Sequence, residues 1–97
     1  MATMGQLKRY LVEREIPGVG GMSIVELCGA ARASNQAIEK LSPKIQWQHS
    51  YVAGDRTFCI YLADGEATIQ AHAELSGIPV TNIVEVPQII DPTTANN

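Results

Sequence analysis

WQHSYVAGDRTFCIYLA, residues 47–63, is the stretch that decides the fold of this chain. Two runs rich in aromatic and β-branched residues flank Gly54-Asp55, a dipeptide that suits a two-residue type II′ turn with glycine in its first position. The segment also holds the only Trp, the only Phe, two of the three Tyr, one of the two His and one of the two Cys. It predicts a β-hairpin that is either a working surface or the centre of the core.

The residues before the hairpin predict a strand and a helix. A strand over 7–16 is followed by a glycine-rich segment, 18–21, which reads as a flexible connector. Ser23 and Glu26 have the spacing of a capping box, in which each side chain satisfies a backbone donor of the other residue. The helix that follows carries one apolar stripe, and we expect it to stop at Ser42-Pro43.

The residues after the hairpin predict a second helix and a last strand. Asp64 fits the N-cap position, and Gly77 fits the left-handed residue that ends a helix. A final strand over 82–90 contains Pro87, which lacks a backbone donor and therefore belongs at a sheet edge. The order strand, helix, strand, strand, helix, strand is that of the ferredoxin-like split βαβ fold. We therefore predict an α+β protein with an antiparallel four-stranded sheet, strand order four-one-three-two, and two helices on one face.

Length and charge restrict the class of protein. The 97 residues suit one domain over 1–97, with an ordered core over about 7–91 and a polar C-terminal tail over 92–97. A net charge of −3 argues against a nucleic-acid partner. No apolar run is long enough to span a membrane, so we expect no membrane partner and a cytoplasmic location. Cys28 and Cys59 lie in separate predicted elements, which indicates reduced packing thiols rather than a disulfide.

The hairpin is partly apolar on both of its faces. The Gly54-Asp55 turn places Ser50 opposite Cys59. One face then carries Trp47, His49, Tyr51, Phe58, Ile60 and Leu62, and the other carries Gln48, Ser50, Val52, Thr57, Cys59 and Tyr61. Because two helices cover only one face of such a sheet, the other face needs a second cover. The economical cover is a second copy of the chain, which predicts a homodimer of the dimeric α/β barrel kind.

Few residues in the sequence suggest a metal-binding or catalytic site. Imidazole is a strong ligand for nickel, copper and zinc, and the chain has two histidines, His49 and His72. Glu13 and Glu15, which share one face of the first strand, could add carboxylates, although no HxH, HxxxH or HExxH cluster supports a metal site by spacing. If His49 points to the open face and His72 to the helices, the two cannot share an ion within one chain. Glu13-Arg14-Glu15 reads most simply as surface charge pairing, the alternative being a carboxylate or guanidinium that points into an interior cavity.

The sequence resembles a family of small nickel-binding proteins that is otherwise known only as a domain of unknown function. The resemblance extends from Lys8 to Ala95 and is carried by KRYLVEREIPG at 8–18, WxHSYV at 47–52, FCIYLA at 58–63, IxxHAE at 69–74, GIP at 77–79 and IIDPTTA at 89–95. Ile24 stands where the family often has a residue that opens a helix better. The resemblance implies a ferredoxin-like dimeric α/β barrel and, for at least one relative, nickel binding, and it assigns no reaction. His49, His72 and Glu13 fall on histidine and glutamate positions of the pattern.

The leading hypothesis is a homodimeric protein that binds nickel, or another divalent transition metal ion, and catalyses no reaction. His49 and His72 would be imidazole ligands, Glu13 a carboxylate ligand and Cys59 a soft neighbour. One alternative is an enzyme or small-molecule-binding module with His49 as a general base in an apolar cavity. The other is a dimerisation module with no ligand.

Overall fold

The computed structural model describes residues 6–97 as a four-stranded antiparallel sheet with two helices packed on one face. The elements are β1 (Lys8–Glu15), α1 (Ile24–Leu41), β2 (Ile45–Ala53), β3 (Arg56–Ala63), α2 (Glu66–Ser76) and β4 (Asn82–Glu85), with short 3-10 helices at Val19–Gly21 and Pro92–Asn96. The strand order is β2-β3-β1-β4 and neighbouring strands are antiparallel. The predicted α+β arrangement and strand order are therefore confirmed.

The hairpin forms with the predicted turn and register, apart from one bulge. Gly54 has φ 61° and is the only residue of the turn with a positive φ, as a type II′ turn requires. Ser50 pairs with Cys59 as predicted, but the register shifts between Trp47 and His49. Trp47 therefore pairs with Tyr61. The prediction that Trp47 shares a face with His49 is wrong, because the extra residue of the bulge turns Trp47 to the opposite side.

The two faces of the sheet differ in what covers them. The face under the helices holds the core, formed by Tyr10, Val12, Ile45, Cys59, Tyr61 and Ala63 together with Ile69 of α2. The opposite face, which we call the open face, carries half-buried or exposed apolar side chains: Leu11, Phe58, Ile60, Leu62, Tyr51 and Val84. The apolar character of both faces, predicted from the hairpin, extends across the whole sheet.

The helix ends are as predicted in three places out of four. Ser23 and Glu26 form the capping box of α1, with both reciprocal hydrogen bonds present. Helix α1 ends at Leu41, before Ser42-Pro43, and Gly77 ends α2 with φ 78°. The prediction that Asp64 caps α2 is wrong, because Gly65 holds that position and no side chain caps the helix. The Asp64 carboxylate instead accepts a hydrogen bond from the Thr68 hydroxyl, one turn into α2.

The glycine-rich segment is docked on the hairpin turn rather than free. The Gly18 N–H donates to Asp55 Oδ1 at 2.9 Å, and the Gly20 N–H donates to the Gly54 carbonyl at 2.7 Å. A Cβ at Gly20 would lie 2.7 Å from that carbonyl oxygen, so the close approach needs a glycine. The reading of this segment as a flexible connector is therefore wrong.

The last strand is shorter than predicted. Strand β4 pairs with β1 only, at the sheet edge where Pro87 had placed it, and it ends at Glu85 instead of residue 90. The Val86 N–H still donates to the Arg9 carbonyl, after which Pro87 has no donor to continue the ladder. Residues 87–97 are exposed, and Ile89 and Ile90 are 64% and 78% exposed.

Within residues 6–97, no helix combines the length and apolarity that crossing a membrane demands. The cytoplasmic location inferred from the sequence stays a prediction.

Candidate functional site

Arg14 is the centre of a polar cluster under the helices. Its side chain is 4% exposed and lies on the same face of β1 as Tyr10 and Val12. Nη1 of Arg14 donates to the Tyr61 hydroxyl at 3.2 Å, and Nη2 lies 3.4 Å from Nδ1 of His72. Nε of Arg14 is buried and has no hydrogen-bond partner among the residues described. Of the two readings of Glu13-Arg14-Glu15, the interior guanidinium is therefore the one that applies to Arg14.

The contacts of His72 define its tautomer. An arginine guanidinium only donates hydrogen bonds, so Nδ1 of His72 accepts and carries no proton. Nε2 then carries the proton and donates to Ser34 Oγ, which is 3.1 Å away. The imidazole is 0% exposed, and each of its two nitrogens has a polar partner inside the protein.

Burial favours the uncharged forms of His72 and Tyr61, two side chains that contact the Arg14 guanidinium. Desolvation lowers the pKa of His72, and the neighbouring Arg14 charge lowers that pKa further. Desolvation raises the pKa of the Tyr61 hydroxyl, although Arg14 acts in the opposite direction. The Cys59 thiol lies 3.8 Å from Nη1 of Arg14 and donates to Thr57 Oγ1 at 3.7 Å. Arg14 is thus a buried cation surrounded by neutral groups.

The open face carries a second, solvent-exposed set of polar residues. Nε2 of His49 lies 3.1 Å from the Tyr51 hydroxyl, with the two rings edge to face. Glu13 forms an ion pair with Arg56, at the hairpin end of the same face. The Glu13 side chain is 21% exposed and that of Arg56 is 48% exposed, so the pair is screened by water.

The four residues predicted to bind metal are separated by the sheet. His49 and Glu13 lie on the open face, whereas His72 and Cys59 lie under the helices around Arg14. Throughout the described chain, no group of three or more His, Cys, Asp or Glu side chains is placed to hold a metal ion. The expectation that the two histidines cannot share an ion within one chain agrees with this geometry, and the four ligand assignments themselves stay predictions.

An apolar cavity of about 450 Å³ lies between α1 and the covered face of the sheet. Its wall includes Arg14, Trp47, Cys59 and Tyr61. His49 points away from it, on the other side of the sheet, so it cannot act as a general base in this cavity. The cavity volume falls in the range of about 300–1,000 Å³ that is usual for small-molecule sites.

Sequence reasoning left Arg14 as one of two alternatives, although β1 contained the deciding signal. Side chains two residues apart share a face of a strand, so Tyr10, Val12 and Arg14 point the same way. Tyr10 and Val12 are buried, and Arg14 follows them into the interior. The cavity had no comparable signal, because its volume depends on the distance between α1 and the sheet.

The fold and this arrangement define a ferredoxin-like α+β protein with an apolar open face and a buried arginine. Residues 10–86 match the sequence profile of the family described as "Nickel responsive protein SCO4226-like". Because the match covers more than half of the 97 residues, the chain belongs to that family, and the resemblance seen in its sequence is confirmed.

Comparison with solved structures supports the fold. The crystal structure of SCO4226 from Streptomyces coelicolor A3(2) is similar, with a TM-score of 0.72 at 17% sequence identity. The alignment covers 84% of this chain and 99% of that one. Among curated proteins, none matches this chain.

Proposed function

We propose that this protein is a homodimer that binds nickel, or a related divalent transition metal ion, on the open face of its sheet and catalyses no reaction. The observation that carries the proposal is an exposed imidazole, His49, on the same apolar face as the Glu13 carboxylate. Membership of a family described as nickel-responsive supports nickel as the metal ion. Imidazole and carboxylate together suit divalent ions of this class.

One chain alone does not fit a metal ion well. It brings one imidazole, His49, and two carboxylates, Glu13 and Glu15, to the open face, but within residues 6–97 no three such side chains are grouped to hold a metal ion. Protein sites for these ions usually have three or four ligands. Two chains packed face to face would bring two copies of each ligand to one interface. The proposed site is therefore completed by the partner copy, and His72 and Cys59 are left out of it because they lie beside the Arg14 cation.

Two features of the chain support the dimer. The open face presents apolar side chains from all four strands to solvent, with Val84 45% and Tyr51 59% exposed, and contiguous apolar surface of this kind is typical of interaction sites. The C-terminal arm, residues 87–97, is exposed along its whole length, including the apolar Ile89 and Ile90. Packing sheet on sheet, with the arms laid over the partner, would cover both surfaces.

Light scattering of tag-free protein tests the dimer. We expect a mass of two chains at micromolar concentration. I60D, which places a charge at the centre of the open face, should give a one-chain mass. V25D, at a residue that is 77% exposed on α1, is the matched control and should stay dimeric. A one-chain mass for the unmodified protein would refute the dimer.

Calorimetric titration tests the metal site. We expect saturable nickel binding to tag-free protein, with H49Q and E13Q each weakening it about tenfold or more. E39Q, an exposed glutamate on α1, is the control and should leave the affinity unchanged. An affinity that is the same in H49Q and in the unmodified protein would overturn the proposed site.

A further inference from the structure

The positive charge of Arg14 has no counter-ion within the described chain. The ion pair found there joins Arg56 to Glu13 on the open face, on the other side of the sheet from the Arg14 guanidinium. A guanidinium has five N–H donors, and Arg14 makes three contacts, to Cys59, Tyr61 and His72. At least two donors, the buried Nε among them, therefore have no partner in residues 6–97. A buried, unpaired charge is costly, so it favours binding of an anion that residues 6–97 do not supply.

The cavity beside Arg14 is apolar over most of its wall. Its apolar side chains include Met22, Leu27, Ala31, Val52 and Ile78. Hydroxyl groups lie at the Arg14 end, where Ser34 and Tyr61 contact the same cluster as the guanidinium. The cavity wall thus has one cationic end, at Arg14, and is otherwise mostly apolar.

We propose that this cavity binds a small organic monocarboxylate, with its carboxylate on the Arg14 guanidinium and its apolar body between α1 and the sheet. A guanidinium pairs with a carboxylate through parallel N–H···O hydrogen bonds, and the apolar wall removes the remainder of the molecule from water. A dianion would carry a charge that no second cation of this wall balances. A metal ion would be repelled by Arg14, so the site is separate from the proposed nickel site.

The only tryptophan reports on the cavity directly. Trp47 lies in its wall, and Trp47 Nε1 donates to Ser50 Oγ at 2.9 Å. We expect decanoate, below its micelle concentration, to change the Trp47 fluorescence saturably. Decanol has the same chain without the charge and should bind about tenfold more weakly or worse, since a hydrogen-bonded charge pair is lost.

Two pairs of variants locate the ligand. R14M removes the charge and keeps most of the volume, so decanoate should bind no more tightly than decanol. R32M, at an exposed arginine of α1, should keep the preference of the unmodified protein. A31F fills the cavity and should abolish binding of both probes, whereas A67F, on the exposed surface of α2, should not.

Equal affinities for decanoate and decanol in the unmodified protein would overturn the proposal, as would an unchanged preference in R14M. Binding that survives A31F would place the ligand elsewhere, for example on the open face, and would also overturn it. If R14M does not fold, the comparison of probes on the unmodified protein and on A31F decides. Nickel titration is a separate measurement, so failure of one proposal leaves the other standing.

Discussion

Nη2 of Arg14 and Nδ1 of His72 lie 3.4 Å apart under the helices, so a permanent cation faces an imidazole that must stay unprotonated. Protonation of His72 would place two positive charges side by side in a medium of low dielectric constant. The Ser34 hydroxyl on the other ring nitrogen satisfies the neutral tautomer. Because of this contact, we expect the free energy of unfolding to depend on pH through the buried His72.

The free energy of unfolding should fall as the pH drops below about 6.5, the usual pKa of histidine. The pKa of His72 is lowered in the folded protein, so the unfolded chain binds a proton at a higher pH than the folded chain does. The contribution of His72 to the free energy of unfolding is therefore fully present above about pH 6.5, and it is lost as the pH falls toward the lowered pKa. Urea unfolding at about pH 7.5 and 5.5 measures the slope of the free energy of unfolding against pH.

Variants of the two histidines identify the source of that slope. H72Q should flatten it, whereas H49Q, at the exposed histidine of the open face, should leave it in place. Equal stability of the unmodified protein at the two pH values, or a slope that disappears in H49Q, would contradict the role of His72.

R14M should raise the free energy of unfolding, by about 1 kcal/mol or more, because it replaces an unpaired buried charge with an apolar side chain. In a domain of this size about 1 kcal/mol moves the thermal midpoint by about 4–8 °C. R32M, at an exposed arginine, should change the free energy by less than about 0.5 kcal/mol. A loss of stability in R14M larger than that in R32M would show that the hydrogen bonds to Tyr61 and His72 outweigh the cost of burying the charge.

G20A should destabilise the protein by about 1–3 kcal/mol. The new Cβ would lie 2.7 Å from the Gly54 carbonyl oxygen, and both groups belong to the backbone, so neither can move aside cheaply. G21A is the matched control, since a Cβ there meets nothing within 4 Å. Equal unfolding midpoints in urea for G20A and G21A would argue against a tight contact between the glycine-rich segment and the hairpin turn.

Local signals account for what could be predicted of the fold. The Ser23–Glu26 capping box and the Gly54-Asp55 turn each act over a few residues, and both formed as predicted. The bulge after Trp47 has no glycine or proline to mark it, so no local signal in the sequence indicated its position. The sequence therefore could not predict on which face of the sheet Trp47 lies.

The candidate sites also combine features that local sequence signals predict with features that depend on tertiary contacts. That His49 shares a face of the hairpin with Tyr51 and Ile60 follows from strand periodicity and could be anticipated. The neutrality of the groups around Arg14 could not, because it depends on contacts between β1, β3, α1 and α2 that are distant in sequence. Interior electrostatics and cavity volume are properties of the assembled layers.

The Glu13–Arg56 ion pair competes with any metal ion for the Glu13 carboxylate. An exposed pair is worth at most about 1 kcal/mol, which corresponds to about a fivefold change in affinity. R56Q should therefore strengthen nickel binding by about two- to fivefold if Glu13 is a ligand. R9Q makes the same change in net charge on the same face without touching the pair, and it should have a smaller effect. Equal gains in R56Q and R9Q, measured by calorimetry, would mean that Glu13 acts through its charge at a distance and not as a ligand.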